Sequence, residues 1–227
     1  MSDEYGNPEA RLTRRALLGT ALMAGMFGRA MAQTATGRTF YVATTGNDSN
    51  DGSQLRPFRT INGAFRRVTN LTGGDTIMVM PGIYQEAVTV KRGGTASADL
   101  RLVSETPRAA QIRSPAGTYS AINIQQNYVT VEGFDVQAGG RGHAIEATFL
   151  NGDTTKNGPH HITIRNNVCH DSAGSGIGLA YGDYYLIEDN VCFNNCATNG
   201  YQGSGISVYS ARAVAGTPRC SISGWAQ

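Results

Sequence analysis

A chain of 227 residues has room for one extended domain or two small ones, and a formal net charge of +2 from 19 basic and 17 acidic residues gives no electrostatic reason to bind nucleic acid or a membrane surface. The 29 glycines and an aromatic share of 8% favour many tight turns between thin strands over packed helices.

Residues 1–32 read as an export signal. Thr13-Arg14-Arg15-Ala16-Leu17-Leu18 has the twin-arginine form, an apolar run follows from Ala16 to Phe27, and Ala30-Met31-Ala32 supplies small residues for cleavage before Gln33. The run is too short and too rich in Gly and Ala to span a membrane. The expected location is periplasmic or secreted, by the twin-arginine route, with no membrane attachment after cleavage. The spacing predicts one domain over residues 33–213, with an N-terminal cap over 38–75 and coils over 76–213.

The cap opens on Thr39-Phe40-Tyr41-Val42-Ala43, a strand by composition. Gly46 to Gly52 is turn-rich. It echoes a calcium loop but lacks the distal Glu of an EF-hand, so it reads as a plain turn. Thr60 can cap a helix from Ile61 to about Val68, whose Ile61, Ala64, Phe65 and Val68 share one face. That short helix is the expected cover for the open end of a stacked core. Strands follow at Asp75–Met80, Ala87–Val90, Leu100–Val103 and Ala110–Ile112, with Pro81-Gly82 closing the first.

A repeat begins at Ala121. Ala121-Ile122-Asn123-Ile124 returns as Ala144-Ile145-Glu146-Ala147, Gly176-Ile177-Gly178-Leu179 and Gly205-Ile206-Ser207-Val208. A second pattern runs through Val129-Thr130-Val131, Ile162-Thr163-Ile164 and Tyr185-Leu186-Ile187, and a third through Asn167-Val168-Cys169 and Asn190-Val191-Cys192. Fixed strands separated by loops of variable length are the mark of a solenoid. The expected fold is all-β, a right-handed parallel β-helix with three short strands per coil. Cys169 and Cys192 take one inward position in adjacent coils, matching Val136, and read as buried thiols, although strands about 4.8 Å apart also allow a disulfide. Asn167 and Asn190 mark a turn where Asn tolerates left-handed backbone and bonds its neighbours, with Phe134 in the matching place one coil earlier. After Ala213 the pattern stops. Residues 214–227 are expected to be an irregular tail, and a truncated or frame-shifted product would explain them.

Tyr41-Val42-Ala43-Thr44-Thr45-Gly46-Asn47-Asp48, Gly52-Ser53, Pro57-Phe58-Arg59-Thr60-Ile61, Gly74-Asp75-Thr76-Ile77 and Pro81-Gly82-Ile83-Tyr84 resemble the opening section of exported β-helix proteins of the pectate-lyase-like superfamily, including family 9 polysaccharide lyases. With the coils, the resemblance covers about residues 38–212. It implies an acidic polysaccharide as partner, a groove on the first-strand face and its flanking loops, calcium as cofactor, and a lysine as the base of a β-elimination.

Alternation of side chains puts Asn123, Glu146, Gly178 and Ser207 in one outward row. Elimination beside a sugar carboxylate needs that carboxylate neutralised and a base near the proton. The candidates are Lys156 as base, with His170 and Arg141 as further catalytic groups. Asn123, His143, Tyr181 and Tyr201 are candidates for sugar binding, and Glu146, Asp171 and Asp183 for calcium. Of the two lysines, Lys91 lies among the early coils and Lys156 in a long loop beside the row. His160-His161 could suggest a metal, but adjacent strand residues face opposite ways. Two other functions stay open: a glycoside hydrolase using Glu146 and Asp171, and a non-catalytic carbohydrate-binding or surface β-helix, with an inactive fragment as a further alternative. The expected state is a monomer.

Overall fold

The computed structural model describes residues 37–149, 158–196 and 204–209, and the main chain of 220–223. The expected export signal, Lys156 and Tyr201 lie outside the described residues. Residues Ala35–Gln227 make one compact unit.

Every strand among the described residues pairs in parallel within one of three sheets. A seven-stranded sheet runs β1 (Thr39–Val42), β2 (Thr76–Val79), β5 (Leu100–Ser104), β8 (Val129–Glu132), β11 (Ile162–Arg165), β14 (Tyr185–Glu188) and β17 (Cys220–Ser223). The first five-stranded sheet runs β4 (Val88–Val90), β7 (Ile122–Ile124), β10 (Ile145–Ala147), β13 (Ile177–Ala180) and β16 (Ile206–Tyr209). The second runs β3 (Gly82–Tyr84), β6 (Ala110–Arg113), β9 (Asp135–Gln137), β12 (Val168–His170) and β15 (Val191–Phe193). From β2 onward each third strand returns to the same sheet, which is the path of a three-sided β-helix.

The core is built as columns. Val88, Ile122, Ile145 and Ile177 are successive register partners on the first five-stranded sheet and are all buried, with Ile206 next in line and packed on the same core. Each such aliphatic contributes about 1.5–3 kcal/mol relative to exposure. A strand of three residues could not hold this shape alone, so stability comes from stacking of coils.

Turns are ordered as columns too. Asn190 Oδ1 accepts from both the backbone N and Nδ2 of Asn167, at 3.0 Å each, and Asn167 Oδ1 accepts from Phe134 N at 2.9 Å. The amides close the ladder by donating to Val131 and Ile164 carbonyls. The left-handed backbone falls one residue earlier than expected, at Gly133, Asn166 and Asp189, with φ of 80°, 56° and 54°. The two jobs are divided: one residue turns the chain and the next carries the bonds. A second left-handed column, Tyr128, His161 and Tyr184, precedes the seven-stranded sheet. Its rings stack at 4.7 Å and 4.4 Å between centroids, so His161 is part of an aromatic ladder.

The helix α1 (Ile61–Arg67) packs on β1, β2 and β4 at the first coil and buries Ile61, Ala64 and Phe65. Thr60 Oγ1 accepts from Gly63 N at 2.8 Å, the expected N-cap. Two carboxylates complete it. Asp48 accepts from Arg59 N, Thr60 N and Thr60 Oγ1, and Glu86 accepts from Ile61 N and Asn62 N. The turn from Gly46 to Gly52 therefore serves the cap of this helix.

The tail departs from expectation. Cys220–Ser223 pairs with β14 in parallel, Tyr185 against Cys220 through Glu188 against Ser223, and adds a strand where an irregular segment was expected. Loop length hid the recurrence.

Cys169 and Cys192 are register partners, buried and free. Hydrogen bonding to Cys192, then burial, holds the Cys169 thiol well above its ordinary range. In a Cys196→Ser/Cys220→Ser protein, a polar thiol reagent is expected to label nothing until the coil unfolds, when both core thiols react. Rapid labelling of the native protein would place these thiols at the surface.

Candidate functional site

The outward positions of the first five-stranded sheet form a row by register: Thr89, Asn123, Glu146, Gly178 and Ser207. On a solenoid such a row faces solvent. Here it is partly covered, because the turns leading into β7, β10 and β13 fold across it. Glu146 is 5% exposed and Ser207 7% exposed. The Glu146 carboxylate accepts from Ser120 Oγ at one oxygen and from Thr148 Oγ1, at 2.8 Å, at the other. Ser207 Oγ lies 2.7 Å from both Ser175 Oγ and Ser204 Oγ. Asn123 Oδ1 is buried and meets no donor among the described residues.

Gly178 is needed for space. A Cβ there would come within 2.6 Å of the His143 imidazole, which lies over it. His143 Nδ1 accepts from Ser175 N at 3.0 Å, so the neutral ring carries its proton on Nε2 and is a donor there. Burial pushes the His143 pKa down, and the charge of Glu146 opposes this in part. The Tyr119 ring meets His143 edge to face at 6.4 Å, and burial followed by the Glu146 charge pushes its phenol up.

The sign of the His143 shift sets a pH test. The folded state holds the neutral ring more firmly than the unfolded chain, whose histidine titrates near about 6.5. The stability this contributes is fully present above that value and is lost as pH falls through the lower folded value. The stability advantage of wild type over His143→Gln is expected to shrink as pH drops below about 6.5, measured by urea unfolding. A difference independent of pH would show that burial does not favour the neutral ring.

Beside this row, just past the C-terminal ends of β10 and β13, Phe149 stacks on Tyr181 with centroids 5.3 Å apart and rings 22° from parallel. Tyr181 takes a left-handed turn, with φ 63°, and is pinned by its N to Tyr209 O at 3.2 Å and by its O to Gly158 N at 3.0 Å. Phe149 is 41% exposed. A flat, partly open aromatic pair beside polar groups suits the face of a sugar ring.

Comparison with known proteins now bears on the chain. A family pattern described as Pel9A-like, right-handed β-helix region, matches residues 40–218. The chain belongs to this Pel9A-like β-helix family. Its likeness to solved structures is one of fold. The pectin methylesterase PemA from Erwinia chrysanthemi superposes with a TM-score of 0.50 at 14% identity, over 69% of this chain and 49% of that one. The GH136 lacto-N-biosidase from Eubacterium ramulus gives 0.50 at 14% identity, over 76% and 34%. The uncharacterized protein YwoF of Bacillus subtilis (strain 168) is 31% identical over 80 residues, 35% of this chain and 16% of that one. The chain thus spans less than half the length of each.

Within this Pel9A-like coil the remaining sequence candidates fall in different places. His170 lies on β12, in the second five-stranded sheet, and does not flank the face that holds His143. Its Nδ1 is 2.6 Å from Asp171 Oδ2 and its Nε2 3.0 Å from Asp135 Oδ1, with Arg113 paired to Asp135 and the Phe193 ring stacked at 5.1 Å. Both ring nitrogens are engaged by carboxylates, so His170 organises a charge network on the second five-stranded sheet, away from the outward row. Asp171 is held below its ordinary pKa, first by the hydrogen bond from His170. Asp183 sits in the turn between β13 and β14, where its carbonyl accepts from His161 N. The expected calcium set of Glu146, Asp171 and Asp183 is therefore spread over separate turns and sheets, and among the described residues no group of three or more His, Cys, Asp or Glu converges. These three side chains do not fit a calcium site. Arg141 is exposed, two residues before His143.

Sequence reasoning missed Ser120 and Thr148, which hold Glu146, because a lone hydroxyl in a turn carries no pattern. It also assigned Glu146 to a metal. Its burial comes from loops folding over, which strand alternation does not report.

Proposed function

We propose that this protein processes acidic polysaccharide along the outward row of the first five-stranded sheet, and that it cleaves by β-elimination. Glu146 carries the reading. Nothing in a β-helix requires a carboxylate buried on the outward side of a sheet, and desolvating it is costly. Held by Ser120 and Thr148 beside a neutral His143, it belongs to a constellation built for a ligand.

The roles follow from chemistry. Lys156 falls in sequence between Phe149 and Gly158, and Gly158 N donates to the Tyr181 carbonyl. Lys156 takes the proton beside the sugar carboxylate. The electrons released form a carbon–carbon double bond as the glycosidic carbon–oxygen bond breaks, and the leaving oxygen takes a proton from water. Arg141 faces the substrate carboxylate. Nε2–H of His143 and the Asn123 amide hold sugar oxygens, and Phe149 with Tyr181 takes a ring face. Export by the twin-arginine signal delivers the protein to the compartment where such polymers occur.

A panel of acidic and neutral polysaccharides, followed by ultraviolet absorbance and by new reducing ends, tests the reading. Unsaturated, absorbing product from an acidic polymer is expected. Reducing ends without absorbance would mean hydrolysis, which the position of Asp171, bound to His170 away from Glu146, argues against. Binding with neither product would mean a non-catalytic carbohydrate-binding protein.

A further inference from the structure

Of the clefts outside the constellation just described, one is lined by cations with no acid among them. It has a volume of about 540 Å³ and sits between α1 and β4, the strand at the helix-capped edge of the first five-stranded sheet. Asn62, Phe65, Arg66, Thr89, Lys91 and Arg92 line it. Three of these six are cations and none is an acid. Arg66 reaches Asp48 at 3.3 Å, while Lys91 and Arg92 enter no ion pair among the described residues.

The walls are held by bonds already made. Asn62 donates through Nδ2 to Glu86 Oε2 and the Ala87 carbonyl, and accepts through Oδ1 from Thr89 N. Phe65 gives an apolar wall from the buried face of the helix. Thr89 is the first member of the outward row, two rungs from Glu146. At the usual strand spacing that separation is about 10 Å. A polymer lying along the row would meet the cleft at one end and Glu146 further on. An anionic polymer is repelled by Glu146, and a cationic end supplies the opposing attraction.

We infer that this cleft is an anion-binding subsite for the carboxylate of an acidic saccharide, with Lys91 and Arg92 as the pairing groups and Phe65 and Thr89 facing the sugar. The inference rests on the reading of the outward row as a polysaccharide groove. It gives that groove a direction, with the charged end at the helix-capped edge.

The test measures binding of oligogalacturonates of defined length, their fully methyl-esterified forms and a neutral glucan to four proteins: wild type, Lys91→Ala/Arg92→Ala, Lys91→Glu/Arg92→Glu and Asn123→Ala. Lys91 and Arg92 are exposed, so thermal unfolding of both double variants is expected to match wild type. The alanine pair is expected to weaken binding of the acidic oligomer about 10- to 30-fold, with the glutamate pair weaker still. The esterified oligomer is expected to bind all but Asn123→Ala equally, and salt dependence is expected to flatten in the double variants. Unchanged acidic-oligomer binding in both double variants, with loss in Asn123→Ala, overturns the subsite and leaves the groove standing. Loss in the double variants with none in Asn123→Ala keeps the subsite and removes the groove. No acidic-oligomer binding by wild type overturns both.

Discussion

Asn167→Ala is expected to lower the unfolding free energy by about 3–4 kcal/mol, as judged from the bonds it removes. Asn167 is fully buried and links three coils: its Oδ1 takes Phe134 N, its Nδ2 reaches Val131 O and Asn190 Oδ1. Alanine leaves the Phe134 amide and the Val131 carbonyl in the interior with no side chain to meet them, and an unmet buried polar group costs about 1–3 kcal/mol. For a domain of this size the midpoint is expected to fall by about 10 °C. Asn167→Asp keeps the acceptor and loses both donors, so it is expected to lie between wild type and alanine only at acid pH, where the carboxyl is neutral and can donate. A loss below about 1 kcal/mol for alanine would mean that the amide ladder decorates the turn without holding it.

Lys156→Ala is expected to slow formation of unsaturated product by about 100- to 10,000-fold, the usual worth of a positioned base. Removal of a base acts on the transition state, so kcat should fall while KM changes little. Unfolding should be unaffected. Arg141→Ala tests the other charge. Loss of the group proposed to face the substrate carboxylate is expected to weaken both binding and turnover of acidic polymer. Equal rates for wild type and Lys156→Ala would remove this lysine from the mechanism and shift the search for a base to the groups around Glu146.

The coil was legible because its signal is periodic. Ile122, Ile145, Ile177 and Ile206 are spaced irregularly in sequence, yet each opens a short alternating strand, and they are register partners in the fold. Alternation fixes which way a strand residue points, so Asn123, Glu146 and Gly178 fall in one row on sequence alone. The helix cap at Thr60 is read from local spacing in the same way. The site was less legible because it depends on what covers the row. Glu146 and an exposed glutamate look alike in sequence, and only the hydroxyls of Ser120 and Thr148 and the ring of His143 distinguish them. His170 shows the converse. It is a catalytic candidate in sequence, but a parallel β-helix sends consecutive strands to different sheets, so β12 carries it away from β10. The tail shows a third case: Cys220-Ser221-Ile222-Ser223 alternates, but the long interval after β16 concealed that it resumes the seven-stranded sheet.

The polysaccharide reading stands or falls on where an acidic oligosaccharide lies. A crystal structure of the Lys156→Ala protein soaked with a short oligogalacturonate is the most direct measurement. The sugar is expected across Asn123, Glu146 and Gly178, with one ring against Phe149 and Tyr181. Ordered oligosaccharide on either of the other two sheets, with this row bare, would contradict the account.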